Sequence, residues 1–310
     1  RLVVARLARM HLLVLMARGR AWLASVARER PRLIQNRLYY VTELTVDHLV
    51  TVISTNSRSS AQPEAEMTLE LASFGFGLNV VVVGASGGIG GALADELDAC
   101  SVISNVVRLS RSPPAIHGDS AWLHIDLEDE HEIASAASDL KRIADMWHLV
   151  IVATGTLHKP EKTWRELSMP AMETAFRINA IGPAMVAEHF LPLLATKRKS
   201  VFTALSARVG SIADNQLGGW HAYRSSKAAL NMLIKTLSIE LSRRNPEALC
   251  VGLHPGTVDT ALSKPFLSGV PAGQLFSPKQ SARKLLAVLD QLTAADTGYL
   301  YAWDGSRIPF

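Results

Sequence analysis

The sequence predicts an α/β domain in which a parallel sheet is covered by helices on both faces. From Leu78 onward, short Val/Ile/Leu-rich runs of strand length alternate with longer segments of helical periodicity. The short runs are apolar at consecutive positions, as strands buried on both faces must be. A third observation is the glycine-rich stretch Gly84-Ala85-Ser86-Gly87-Gly88-Ile89-Gly90, which joins the first strand to the first helix.

In chain order, Asn79–Val83 reads as the first strand and Gly90–Leu97 as the first helix. Val102–Leu109 and Ala121–Ile125 follow as strands, Glu128–Ala144 as a helix and Leu149–Val152 as the fourth strand. A long helix spans about Pro170–Leu194, then come strand Ser200–Leu205, helix Ala222–Arg243 and strand Leu249–Leu253. Helix Lys279–Gln291 and strand Tyr299–Ala302 complete a seven-stranded, doubly wound sheet of the Rossmann type. No repeat of fixed period is visible, so the body reads as one domain.

With 48% apolar and 19% charged residues in 310, the chain can bury a sizeable core, which excludes wholesale disorder. Two cysteines cannot make a disulfide framework, and no Cys-x-x-Cys or His-x-x-x-His spacing is present, so no metal is expected. A reduced, cytoplasmic compartment fits, and no apolar run reaches the roughly 20 residues of a membrane span. The net charge of +4 divides unevenly: residues 1–66 hold ten Arg, no Lys and five acids, while 67–310 hold 22 bases and 23 acids. Basicity therefore gives no reason to expect a nucleic-acid partner for the body. The Arg-rich front segment fits an organelle transit-like segment, a separate interaction helix, or upstream sequence outside the functional protein. We place the domain at 67–310, with the last of these readings favoured for 1–66.

Glycines at a strand-to-helix turn let the backbone bend sharply and approach a phosphate, whose charge meets the N–H groups and dipole of the helix N-terminus. The same stretch satisfies G-x-S-x-G, which would make Ser86 the nucleophile of an α/β-hydrolase with His254 downstream. That alternative is remote, because such an elbow follows several strands and this one follows the first. Tyr223 and Lys227 lie one turn apart on one helix face, so the ammonium can act on the phenol. Bringing a tyrosine from ~10 to near 7 takes about 4 kcal/mol. One cation at ~4 Å with an effective dielectric near 20 supplies about that much. Upstream, Pro183 has no N–H to give the carbonyl of Asn179, which can then hold a water for a proton relay.

Together these residues resemble the short-chain dehydrogenase/reductase family over about 230 residues from Leu78. Gly84, Gly88 and Gly90 stand at its three glycines, and Asn179, Tyr223 and Lys227 at its catalytic positions. Pro255-Gly256-Thr257-Val258-Asp259-Thr260 is similar to its nicotinamide-contacting segment. The stretches Ala153–His158, Ser206–Ile212 and Gly218-Gly219-Trp220 resemble the subgroup of C-factor signalling proteins and sniffer-type carbonyl reductases. The resemblance implies hydride transfer between a nicotinamide and a carbonyl or alcohol, with Tyr223 as acid/base. It implies cofactor contacts at Gly84, Ser86, Gly88, Ile89, Gly90, Asp126, Leu127, Ala153, Gly155, Pro255, Gly256, Val258 and Thr260, besides Tyr223 and Lys227. It also implies a homodimer or homotetramer.

Arg111, where an NAD-preferring relative would carry an acid, favours NADP(H) by matching a 2′-phosphate. Three positions depart from the family pattern. Val152-Ala153-Thr154-Gly155 keeps the glycine of the Asn-Asn-Ala-Gly motif and loses both amides. Gly87 lacks the basic residue often found there in NADP users. Ala207 stands at the usual catalytic serine, so Ser206 is expected to substitute, with Ser211 its competitor at the substrate side. The segment Leu262–Pro278, including Phe266, has the composition of a lid over a hydrophobic small-molecule substrate. Two alternatives remain: a cofactor-binding signalling protein of the C-factor kind with little turnover, and a disabled paralogue, given the displaced serine.

Overall fold

A computed structural model describes residues 70–114, 120–264 and 273–310. The expectations for residues 1–66 and Phe266 lie outside the described residues. Strands β1 (Leu78–Val83), β2 (Ile103–Ser110), β3 (Ala121–His124), β4 (Leu149–Val152), β5 (Ser200–Leu205), β6 (Ala248–His254) and β9 (Leu300–Ala302) are the seven expected. They form one sheet in the order β3-β2-β1-β4-β5-β6-β9, every neighbouring pair parallel.

The sheet has eight strands rather than seven. A two-residue strand, β10 (Arg307–Ile308), folds back antiparallel on β9 through a turn at Gly305, φ +81°. Two residues are too few to show a period in sequence. A second two-stranded sheet pairs β7 (Thr257–Val258) with β8 (Leu275–Phe276) and draws together the stems of the expected lid.

Alternate residues of the central strands feed two separate cores. Val81, Val83, Val150, Val152, Phe202 and Ala204 meet helices α2 (Glu130–Ile143), α4 (Gly182–Phe190) and α5 (His221–Arg244) on one face. Val80, Val82, Leu149, Ile151, Val201 and Leu249 meet α1 (Gly88–Asp98) and α6 (Pro278–Gln291) on the other. This two-sided burial is why the strands read as continuous apolar runs. Among the described residues, no helix is long and apolar enough to cross a membrane.

The single helix expected over Pro170–Leu194 is divided. It runs as α3 (Met169–Phe176), a π-helical turn Arg177–Ile181, and then α4, ending in a short 3₁₀ turn. Pro183 cannot donate to the carbonyl four residues back, and the turn widens just before it. Asn179 sits in that widened turn, fully buried.

Arg108 lies inside β2 among apolar neighbours and is fully buried. Its guanidinium bonds Asp95 and Asp98 of α1, and its Nε donates to Ser120 Oγ at 3.1 Å. The pair ties the helix behind the glycine turn to the sheet beneath it. Removing a buried cation leaves its carboxylates uncompensated. Arg108→Met is therefore expected to lower unfolding stability by about 2–3 kcal/mol in urea titrations at unchanged m-value. Arg142→Ala, which breaks an exposed pair with Asp139, should change it by less than about 0.5 kcal/mol.

Candidate active site

The strand order reverses between β1 and β4, and the crevice opens there at the carboxyl ends of the strands. Gly84 takes φ +87°, and a Cβ on it would lie 2.9 Å from Thr154 Cγ2 and 3.0 Å from the Thr154 nitrogen. A Cβ on Gly90 would meet the Gly84 carbonyl oxygen at 2.2 Å, and one on Gly88 would meet Thr260 Cγ2 at 2.8 Å. No other residue type fits these three positions without displacing backbone or the Thr260 side chain. The turn therefore holds the amino end of α1 close against the crevice.

A cleft of about 270 Å³ lies beside that turn. Gly84, Ser86, Ala153 and Gly155 border it, together with Arg111, Asp126 and Leu127. Arg111 is exposed and has no carboxylate partner among the described residues. The hydroxyl of Ser110 donates instead to the Ser112 carbonyl, and Asp126 accepts from Glu128 N–H. Ile89, in the first turn of α1, is partly buried and packs against the core on the α1 face. Thr154, unmarked in the sequence, borders the cleft with its Oγ1 buried and without a hydrogen-bond partner. A glycine cradle, with a guanidinium and a buried hydroxyl that have no partner among the described residues, fits a phosphate-bearing dinucleotide.

The other expected contacts close the crevice. Gly256 takes φ +78°, and a Cβ there would press 2.8 Å from the ring of Phe276. Phe276 meets Trp303 edge to face at 4.8 Å. The Pro255 carbonyl accepts from Ser281 Oγ, and Val258 is buried with its carbonyl held by Ser263. Thr260 N–H donates to Ser263 Oγ at 3.2 Å, which holds the threonine beside Gly88.

Tyr223 and Lys227 come together on α5. The ammonium lies 5.9 Å from the centre of the Tyr223 ring and donates to the Leu205 carbonyl at 2.7 Å. Tyr223 Oη has no protein partner among the described residues. Burial pushes the phenol up to about 12 and Lys227 down to about 7. Burial disfavours the charged form of each group.

Asn179 is fixed by three bonds. Its Oδ1 accepts from Thr156 N–H at 2.8 Å, and its Nδ2 donates to the Thr156 carbonyl and to Ser226 Oγ, both at 3.0 Å. Ser226 Oγ donates in turn to the Tyr223 carbonyl at 2.9 Å. This path from the loop after β4 to the tyrosine helix was not legible in the sequence.

Neither serine is brought to Tyr223 by a hydrogen bond. Ser206 Oγ donates to Asn231 Oδ1 at 2.7 Å, two turns along α5, and Asn231 holds the Gly210 carbonyl. The chain stays extended at Ala207, φ −152° and ψ 148°, without the bulge that Ser206 would need to change sides. Ser211 Oγ accepts from Asp214 N–H and borders a different groove, on the side of α5 that carries His221 and Arg224. Ser86 has no histidine partner among the described residues, which leaves the hydrolase alternative without its base.

Comparison with known proteins agrees with this geometry. The sequence pattern described as short chain dehydrogenase matches residues 78–270. The chain is 37% identical over 140 residues to the C-signal of Myxococcus xanthus, covering 45% of this chain and 78% of that protein. It is 29% identical over 229 residues to 1-hydroxy-2-glutathionyl-2-methyl-3-butene dehydrogenase of Rhodococcus sp. (strain AD45), covering 73% and 97%. It superposes on the NADPH-bound carbonyl reductase from chicken fatty liver with TM-score 0.68 at 25% identity, over 76% of this chain and 100% of that one. The carbonyl reductase Sniffer of D. melanogaster has the same fold, with TM-score 0.68 at 21% identity over the same shares. Glycine cradle, assembled Tyr-Lys-Asn group and matched pattern thus converge on one conclusion: the chain belongs to the short-chain dehydrogenase family, as an oxidoreductase built for a nicotinamide cofactor.

Proposed function

We propose that this protein is an NADP(H)-dependent carbonyl reductase or alcohol dehydrogenase acting on a hydrophobic ketone, aldehyde or alcohol. The observation that carries the reading is that Asn179 Oδ1 and Lys227 Nζ both approach Gly155 on the lining of the cleft, with Tyr223 beside Lys227 on α5 and Arg111, which has no carboxylate partner among the described residues, on the same lining. A bound nicotinamide supplies hydride to, or accepts it from, the substrate carbon. Tyr223 Oη gives the proton to, or takes it from, the substrate oxygen. Lys227, held on the Leu205 carbonyl, offsets the charge that develops on the phenol. The Asn179 side chain fixes the loop after β4 through Thr156, and Pro183 has no N–H to give to its carbonyl. Ser206 stays on Asn231 and supports β5 against α5; we assign it no contact with the reacting oxygen.

Likeness to the C-signal supports a second reading, in which nucleotide occupancy and not turnover carries the effect. Tyr223→Phe separates the two. On the reductase reading kcat falls at least about 100-fold, while NADPH binding, followed by tryptophan fluorescence, is retained. A wild type that binds nucleotide and reduces no carbonyl would favour the signalling reading.

Arg111 as the 2′-phosphate partner predicts that NADPH binds at least about tenfold more tightly than NADH, and that Arg111→Asp removes most of the difference. Equal affinities in the wild type would overturn the NADP(H) assignment.

The lowered Lys227 value has a consequence for the protein alone. Between about pH 7 and the ordinary 10.5, an unfolded lysine holds a proton that the buried one has released. Wild-type stability should therefore rise with pH through that window. Lys227→Met lacks this contribution. Its Tm relative to wild type is expected to be highest at pH 7 and to decline by pH 9.5. Parallel curves for the two proteins would show that Lys227 keeps its charge on folding.

A further inference from the structure

The helix that carries Tyr223 begins without an acceptor of its own. Its N-cap residue, Trp220, makes no side-chain capping bond, and the first turn holds no acidic residue. The first N–H groups of a helix need partners and concentrate positive potential. The approach to α5 is also strained. Gly218, Gly219 and Trp220 have φ of +63°, +63° and +54°, three successive residues in the left-handed region, where tryptophan is disfavoured.

Glu161 lies against this run from 59 residues upstream of Trp220, in the loop that leaves β4, and only 6% of it is exposed. Its carbonyl accepts from Trp220 N–H at 2.6 Å, and its Oε1 accepts from Ala222 N–H at 3.4 Å. A Cβ on Gly219 would stand 3.1 Å from the same carbonyl, so the left-handed run is wrapped closely over Glu161. No cation pairs with this buried carboxylate among the described residues; its neighbour is the positive end of α5. Trp220 then rests its ring 6.4 Å from that of Tyr223.

The geometry points to Glu161 as a positioning residue: it caps α5 from another loop, holds the Gly218-Gly219-Trp220 turn, and so sets where Tyr223 stands. This rests on Tyr223 being the acid/base group. It explains why two glycines and a left-handed tryptophan precede that helix. The contact also gives Tyr223 a second tether to the loop after β4, besides the path through Asn179 and Ser226.

The test compares Glu161→Ala with Glu161→Gln, whose amide oxygen can accept the same N–H. Hydrogen exchange in peptides covering 219–226 is read against 235–244 of the same helix, with kcat and KM measured alongside. Glu161→Ala should quicken exchange about tenfold in the first segment alone and lower kcat about tenfold with KM for nucleotide unchanged. Glu161→Gln should stay within about threefold of wild type in both. Unchanged exchange in the alanine variant overturns the cap. Quickened exchange with unchanged kcat overturns the positioning role, and so does an equal loss in both variants. Should the wild type reduce no carbonyl, the reductase reading fails and with it the positioning role, while the exchange comparison still decides whether Glu161 caps the helix.

Discussion

Folding strips the Lys227 ammonium of nearly all its water and returns one protein acceptor, the Leu205 carbonyl at 2.7 Å. Three donors with one strong acceptor is an unfavourable exchange, which is why burial takes the lysine down to about 7. Tyr223 is pushed the opposite way, to about 12, and each group needs the other's charge to ionise. Moving the phenol from about 12 to near 7 requires about 7 kcal/mol. A single cation at contact distance supplies about 4 kcal/mol. On the proposed reading, the remainder comes from contacts with the bound nucleotide and substrate.

The architecture around this pair serves to keep it dry and fixed. β5 delivers the Leu205 carbonyl, α5 delivers both side chains, and Gly210 lets the turn after β5 press onto the helix. A Cβ on Gly210 would meet Lys227 Cβ at 2.7 Å. From the opposite side, the π turn forced ahead of Pro183 aims Asn179 into the loop after β4. These contacts tie the loops at the carboxyl ends of β4 and β5 to the helices that the sheet already holds.

Features governed by local chemistry were legible in the sequence. Gly84, Gly88 and Gly90 are constrained by backbone approach, Tyr223 and Lys227 by helical spacing, and the break at Pro183 by a missing N–H. Features that depend on remote partners were not. Arg108 sits mid-strand and looks like an interruption until Asp95 and Asp98 come across from α1. Glu161 is one acid in a charged loop until the chain brings Ala222 to it. Burial at Tyr223 belongs to the same group: helical spacing reports the neighbouring charge and says nothing about lost water.

The extended backbone at Ala207 has a chemical consequence. Neighbouring residues on a strand cannot exchange faces, so the Ser206 hydroxyl is committed to Asn231 and a methyl stands where the family pattern has a hydroxyl. On the proposed reading, the substrate oxygen then receives one strong hydrogen bond, from Tyr223, where two would otherwise share the developing charge. Losing a donor at such an oxygen costs on the order of 3 kcal/mol of transition-state stabilisation. A site with that deficit works best on carbonyls already activated toward hydride, and it places the full demand of orientation on α5. The bonds that hold the start of that helix therefore matter more here than they would in a site with a second hydroxyl.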